Sequence, residues 1–276
     1  MKHLLASVLL LLSSSLAVAA GAPDDSPEAL MREAFTGWLP GRATTITAPG
    51  PDGSPQQVSV VPQLVLALDA SHRALVVSGV RVLEGGQRIE SHSAPANLGV
   101  YVFTQRDGRW VASHATPSAG WTGFFGKPGR MHRVELGNGR VGLGVENDEC
   151  WQGFCGEWLT LFDVTNDGTR QILHLMTGSS SVNAPPECGA WLQGTRPTPP
   201  AGHDAKLCFD ISGRWQLATA PGRDEADLIV HFEGRDGVVD ARSGAARVNK
   251  VRETLVLRRQ GERYEPLRGR NPTHKI

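Results

Sequence analysis

The sequence predicts a mainly β protein of antiparallel, hairpin-linked sheets with one helix near the N-terminus. Glycine supplies 32 of the 276 residues, where a usual share of ~7% would give about 19. After residue 57 the apolar segments are short, several alternate with polar residues, and turn signals such as Asp107-Gly108 separate them. The turns are spaced too irregularly for a propeller, so a sandwich-like arrangement is expected.

An export signal is predicted over residues 1–20. Lys2 supplies a positive charge, Leu4–Leu12 form an apolar run, and Ala17-Val18-Ala19 offer a cleavage site. The apolar run is too short to span a bilayer, and no second run of 18 or more apolar residues follows it. We therefore expect an exported protein, periplasmic or secreted, without a membrane span.

A single helix is predicted soon after the signal. Ser26 is a typical N-cap, and Pro27 suits the first helical position because its missing N–H has no partner there. Leu30 and Ala34 recur on one face of such a helix. Pro40 lies where the helix must already have ended.

The Gly- and Pro-rich stretch 120–129 divides the remaining chain into two regions. Region 21–125 holds the helix and a first β-sheet. Region 126–276 holds further antiparallel strands, the cysteines and a basic tail. Dipeptides and tripeptides with turn composition predict where hairpins reverse. They are Asp107-Gly108, Gly137-Asn138-Gly139, Asn166-Asp167-Gly168, Ser212-Gly213, Asp236-Gly237 and Gln260-Gly261.

Four cysteines predict two disulfides, because an even number of cysteines in an exported chain is usually oxidised. Of the three possible pairings we favour the sequential one. Cys150–Cys155 would close a tight loop, and Cys188–Cys208 would restrain the Pro-rich stretch 195–202. A zinc site is the alternative, but the spacings lack the closely spaced ligand pairs that zinc sites use.

Residues 146–158 form the candidate ligand site. Two tryptophan rings could stack on the face of a sugar or on an apolar ligand, and three carboxylates could accept hydrogen bonds from hydroxyl groups. The alternative is that the aromatic rings cover the disulfide as part of the core. The candidate ligand-binding residues are Glu146, Asp148, Glu149, Trp151 and Trp158.

The segment Asp163-Val164-Thr165-Asn166-Asp167-Gly168 resembles the D-x-[DN]-x-D-G calcium loops of EF-hands and of FG-GAP repeats. The resemblance implies a calcium ion held by oxygens of Asp163, Thr165 and Asp167. Thr165 departs from the usual Asp or Asn, and Gln171 stands where FG-GAP loops carry an acid. A polar hairpin turn without an ion is the alternative.

The charge balance argues against nucleic-acid binding, because the formal net charge is zero. Charge is nevertheless uneven. Residues 241–276 hold ten basic and three acidic side chains, so this basic segment could contact anionic polymers or lipid head groups. The alternative is a set of outward-facing residues on a last hairpin and a frayed tail.

Catalytic motifs are missing from the sequence. It contains no G-x-S-x-G, no H-E-x-x-H and no phosphate-binding loop. We therefore predict a non-catalytic binding protein of the cell envelope or extracellular space, with a carbohydrate or protein ligand and no cofactor other than calcium. Two alternatives remain open: a calcium-stabilised scaffold, and a hydrolase of envelope polymers that requires a cleft and a carboxyl with a raised pKa. The carboxylates available to the hydrolase are Glu146, Asp148, Glu149, Glu157 and Asp163.

Overall fold

The computed structural model describes residues 22–184, 187–202 and 204–276. The predicted export signal lies outside these described residues. Within them, thirteen antiparallel strands form a five-stranded and an eight-stranded sheet, and one helix lies near the N-terminus. The predicted mainly β fold is therefore confirmed.

Helix α1 covers Pro27–Ala34 and begins as its sequence predicts. The backbone N–H of Ala29 donates a hydrogen bond to Ser26 Oγ at 3.2 Å, so Ser26 is the N-cap. Leu30 and Met31 are fully buried against the first sheet. The helix therefore covers one face of that sheet.

The first sheet is a meander of consecutive strands. One face packs on α1 through Val58, Val77 and Phe103. The opposite face is apolar too, because Val76 and Val100 point away from α1 into a second buried cluster. The strands are β1 (Thr44–Pro49), β2 (Pro55–Ala67), β3 (His72–Arg81), β4 (Ala96–Arg106) and β5 (Arg109–Thr122).

The second sheet is also a meander, but it is split in the middle. β9 and β10 pair over three residues only, Gly178–Ser180 with Asp210–Ser212. A bridge between Gly137 and Glu225 brings the β6 edge towards the β10–β11 connection, so the sheet curls around its own apolar cluster. The strands are β6 (Arg130–Gly137), β7 (Arg140–Trp151), β8 (Phe154–Thr165), β9 (Gly168–Ser180), β10 (Phe209–Thr219), β11 (Ala226–Val239), β12 (Ala246–Gln260) and β13 (Arg263–Arg268).

The two sheets share a core. Val76 and Val100 of the first sheet belong to the same buried cluster as Leu143 and Phe162 of the second. All four side chains are inaccessible to solvent. Burial of such side chains stabilises a fold by roughly 1.5–3 kcal/mol each, so this cluster holds the two sheets face to face.

Two of the predicted turns are wrong. Ser212-Gly213 lies inside β10, and Asp236-Gly237 lies inside β11. A side chain at Gly213 would lie 2.6 Å from the carbonyl oxygen of Thr177, and one at Gly237 would clash with the carbonyl oxygen of Ala205. These glycines therefore permit a close approach of neighbouring backbone. Composition alone does not distinguish such a glycine from one that forms a turn.

The sequential disulfide pairing is confirmed. Cys150 and Cys155 face each other across β7 and β8 with Cα atoms 4.0 Å apart. The surrounding segment is a hairpin with its turn at Gln152-Gly153, so this disulfide closes a tight loop, as predicted. Each residue from Asn147 to Trp151 pairs with a residue of β8, so both strands continue as far as the turn.

Cys188 and Cys208 are joined with their Cα atoms 5.2 Å apart. Between them lie a second helix, α2 (Cys188–Gln193), and a 3₁₀ turn at Ala205–Leu207, neither of which the sequence predicts. α2 has only six residues, too few to show a helical period. Neither α1 nor α2 has the length and apolar character needed to cross a membrane, and the described residues contain no other α-helix.

Candidate functional site

The candidate site lies where the β7–β8 hairpin extends beyond β6. The pairing of β6 with β7 begins at Arg130 and Glu146, so residues 147–151 pair with β8 alone. Side chains alternate along this overhang. Asp148 faces Glu157 across the strand pair, and Asn147 faces Trp158. Because one edge of β7 is free of a strand partner here, a cavity can reach side chains from both faces of the hairpin.

The first cavity is an acidic cleft of about 560 Å³. This volume lies in the range of small-molecule sites. Lys127 and Arg130 are the cationic side chains of its lining. Its carboxylates and tryptophan rings define what it could bind. They belong to Glu146, Asp148, Glu149, Glu157, Trp158 and Trp215.

The carboxyl of Glu157 in the acidic cleft has a raised pKa. Partial burial raises its pKa, and the negative charges of Asp148, Asp210 and Glu146 raise it further. Its Oε2 lies over Gly178, where an added Cβ would come within 2.5 Å of that oxygen. Gly178 therefore leaves the room that the Glu157 carboxyl occupies.

Glu146 differs from Asp148 and Glu157 in the acidic cleft because a guanidinium group pairs with it. Its Oε1 lies 3.1 Å from Arg130 Nη2 and 3.7 Å from His132 Nδ1. The His132 ring stacks on Trp215 with centroids 5.6 Å apart. Within the described ranges, neither Asp148 nor Glu157 has an ion-pair partner. These two carboxylates are therefore free to bind a ligand.

A second cavity, which we call the apolar cavity, lies on the other face of the hairpin and also has a volume of about 560 Å³. Trp151, Phe154, Leu207 and Phe209 form much of its wall. Trp151 is 58% exposed, so it does not belong to the core. The alternative expectation that the aromatic rings simply bury the disulfide is therefore wrong for Trp151.

His92 lies at the rim of the apolar cavity inside a group of aromatic rings. Its ring centroid is 4.5 Å from that of Trp151 and 5.3 Å from that of Phe125. Its Nε2 is buried and lies 3.5 Å from Glu149 Oε1, an ion-pair distance once the imidazole is protonated, but the geometry is not that of a hydrogen bond. His92 thus brings the connection between β3 and β4 into contact with the end of the β7–β8 hairpin.

The structure brings four of the five predicted ligand-binding residues to the acidic cleft: Glu146, Asp148, Glu149 and Trp158. Trp151 lines the apolar cavity instead. Trp215 is not among the predicted ligand-binding residues, because Ser212-Gly213 indicates a turn just before it, whereas the chain continues along β10. No local signal connects β10 with the β7–β8 hairpin.

The predicted calcium segment lies at the far end of β8. Asp163 is buried, and its Oδ2 accepts hydrogen bonds from Arg140 Nη2 and, at 2.8 Å, from Arg259 Nη2. Thr165 Oγ1 donates to the carbonyl oxygen of Gly168 at 3.0 Å. Two guanidinium groups beside Asp163 oppose a further cation.

Calcium binding by Asp163, Thr165 and Asp167 nevertheless stays a prediction. In the part of the chain that the structure describes, no three His, Cys, Asp or Glu side chains are grouped as metal ligands. The loop instead borders a cavity of about 360 Å³ between the two sheets. Asp163 and Arg259 both line this cavity. Asp163 Oδ1 and Arg259 Nη1 are buried and have no hydrogen-bond partner among the described residues.

The basic segment 241–276 is partly neutralised by internal ion pairs. Arg258 donates two hydrogen bonds to Asp227, at 3.0 and 2.9 Å, and Arg270 pairs with Glu253 at 3.0 Å. Its last residues are not frayed, because the backbone N–H of His274 donates to Ser179 Oγ at 3.0 Å. Contact of this segment with an anionic surface stays a prediction.

Comparison with protein-family models, with curated proteins and with solved structures finds no match to this chain. The two disulfides indicate an oxidising compartment outside the cytoplasm, where such bonds persist.

Proposed function

We propose that this is an exported binding protein of the periplasm or the extracellular space that holds a carbohydrate in the acidic cleft. One observation carries the proposal: the unpaired carboxylates of Asp148 and Glu157 line the same cleft as the rings of Trp158 and Trp215. The C–H face of a sugar packs on an aromatic ring, while its hydroxyl groups donate hydrogen bonds to carboxylates.

The charge of the acidic cleft favours a carbohydrate with free amino groups. Four carboxylates line it against two cationic side chains, and Arg130 is already paired with Glu146. A protonated amine would therefore be attracted, whereas a carboxylated or sulfated sugar would be repelled. Among saccharides, we expect glucosamine oligomers to bind more tightly than their N-acetylated forms.

Titration calorimetry with a glucosamine trisaccharide tests this proposal. Asp148→Asn removes one free carboxylate and Trp215→Ala removes one ring, and each should weaken binding at least tenfold. Glu135→Gln is the matched control, because Glu135 pairs with Arg133 at 2.8 Å on β6 and does not line the cleft. Equal binding by wild type and both cleft variants, or no binding of any saccharide, would overturn the proposal.

A second candidate, a carboxylate-dependent hydrolase, is favoured by the raised pKa of Glu157. A protonated carboxyl beside an ionised one is the arrangement that glycoside hydrolysis uses. Glu157 and Asp148 are direct cross-strand partners, and such residues have Cβ atoms about 4.5–5.5 Å apart. Their carboxyl groups can thus approach the ~5 Å separation of retaining enzymes.

The hydrolase is tested by incubating the protein with glycan strands and following new reducing ends. If it acts, Glu157→Gln abolishes the release of reducing ends, whereas the control Glu135→Gln releases them at the wild-type rate. Absence of product from the wild type over a range of pH would remove this candidate and leave the binding function intact.

A further inference from the structure

We propose that the acidic cleft and the apolar cavity together form one site for an amphiphile, with an amine-bearing sugar head in the cleft and a single alkyl or acyl chain in the cavity. This inference rests on the proposed carbohydrate-binding function and adds the chemical class of the whole ligand. It assigns a role to the apolar cavity that carbohydrate binding alone leaves unexplained.

The two cavities are continuous in their walls. Phe124, Glu149 and Trp158 line both of them. The rings of Phe124 and Trp158 have centroids 5.4 Å apart and form the boundary between the two spaces. A sugar stacked on Trp158 in the acidic cleft would therefore place any attached chain beside the same ring, at the entrance of the apolar cavity.

The apolar cavity exposes hydrophobic surface that the described chain does not cover. Trp151, Leu207 and Ile276 line it, although they are 58%, 44% and 49% exposed. Phe154 and Phe209 lie deeper in the wall, with ring centroids 6.2 Å apart. Exposed apolar residues gathered in one concave place mark binding sites on protein surfaces, whereas single ones need no explanation.

The distribution of charge sets the orientation of the ligand. Negative charge is concentrated in the acidic cleft, where Asp148 and Glu157 lack ion pairs. The apolar cavity is lined by Glu149, which it shares with the cleft, and by Lys206 and Lys275, which the cleft lacks. A cationic head is therefore favoured in the cleft and disfavoured beside the two lysines, so the uncharged chain occupies the apolar cavity.

A series of alkyl glucosaminides, with chains of two, six and ten carbons, tests this inference against glucosamine itself. Binding is followed by tryptophan fluorescence below the micelle concentration. Each methylene that enters the apolar cavity should tighten binding about fourfold, and the gain should stop when the cavity is filled. The same series carrying a sulfate head should bind at least tenfold more weakly at equal chain length.

Leu207→Glu is the decisive variant, because Leu207 lines the apolar cavity and not the acidic cleft. It should remove the gain from chain length and leave glucosamine affinity unchanged. Leu267→Glu is its control, since Leu267 on β13 is 46% exposed, as Leu207 is 44% exposed, and lines neither cavity. Trp215→Ala should instead weaken every chain length by the same factor.

The outcomes separate this inference from the function beneath it. Binding of glucosamine without any gain from chain length overturns the amphiphile site and leaves the carbohydrate site. Equal binding of glucosaminide and sulfate heads overturns both. Sedimentation shows whether a second copy covers the apolar cavity: a dimer that Leu207→Glu dissociates and Leu267→Glu does not would overturn the inference.

Discussion

At the scale of single residues, the carboxylate of Asp163 illustrates how much a buried charge depends on its partners. It is 7% exposed, and it lies between the guanidinium of Arg259, which is 6% exposed, and that of Arg140. Taking these groups out of water is costly, and their mutual attraction offsets that cost only while all of them are present. The strands that carry them, β7, β8 and β12, are thereby held in register at one end of the second sheet.

Asp163→Asn should lower the free energy of unfolding by about 3–5 kcal/mol, because the buried guanidinium of Arg259 then keeps only the more distant carboxylate of Glu225, 3.9 Å from its Nε. Asp167→Asn, in the exposed turn nearby, should change it by less than about 0.5 kcal/mol. Urea unfolding of the non-reduced protein measures both. A small effect of Asp163→Asn, together with a midpoint that rises with calcium, would contradict the ion-pair role and favour a calcium loop.

Two carboxyls should give opposite dependences of stability on pH. Burial and the negative charge of Asp148 raise the pKa of Glu157 in the folded state. The contribution of Glu157 to the free energy of unfolding is therefore fully present below its unfolded-state pKa and is lost as the pH rises through its folded-state pKa. Hydrogen bonds from Arg258 lower the pKa of Asp227, so its contribution is present at neutral pH and is lost as pH falls.

Glu157→Gln should therefore raise the thermal midpoint at pH 7, and the gain should vanish below about pH 4. Asp227→Asn should lower the midpoint at pH 7 and lose its effect on acidification. Calorimetry of both variants between pH 3 and pH 8 measures these differences. A Glu157→Gln variant that is less stable than wild type at pH 7 would contradict the raised pKa that burial and the neighbouring carboxylates give Glu157.

At the scale of elements, the sequence predicts those helix starts and turns that depend on residues close by in the chain. The cap at Ser26 fixes the start of α1, and Gln260-Gly261 turns as predicted, with Gly261 at a φ of 60°. Ser212-Gly213 has a similar composition but continues a strand, because Thr177 on β9 approaches Gly213 closely. Only contact with another strand distinguishes the two cases, so no local pattern could have separated them.

The two disulfides restrain elements of different span, so their removal should have different consequences. Cys150 and Cys155 close a loop of sequence separation 5, and Cys188 and Cys208 close one of separation 20. Loop-closure entropy gives about 2 kcal/mol for the short loop and about 3 kcal/mol for the long one.

Paired Cys→Ser variants test this ordering by chemical unfolding. Loss of the Cys150–Cys155 bond should also increase hydrogen exchange at residues 147–151, where β7 pairs with β8 alone, and weaken trisaccharide binding. Loss of the Cys188–Cys208 bond should leave hydrogen exchange in the β7–β8 hairpin unchanged. Equal exchange in the hairpin with and without its own disulfide would contradict the idea that the bond orders the site.

At the scale of the whole molecule, the site arises from the way two sheets meet. The segment 123–129 links β5 to β6 and brings Phe124, Phe125 and Lys127 to the cleft. β10 brings Trp215 from a distant part of the chain. Composition and alternation predict strands and a Trp-rich acidic hairpin, but the sharing of one core by both sheets is a long-range property. The hairpin half of the site could thus be predicted from sequence, and the half supplied by β10 could not.

The most direct test of the account is to observe the indole N–H signals of the seven tryptophans by NMR during titration with a glucosamine trisaccharide. If the acidic cleft is the site, the signals of Trp158 and Trp215 shift in a saturable manner. Those of Trp38 and Trp191, which are buried elsewhere, stay in place. Shifts confined to other tryptophans, or no saturable shift at all, would contradict the central claim.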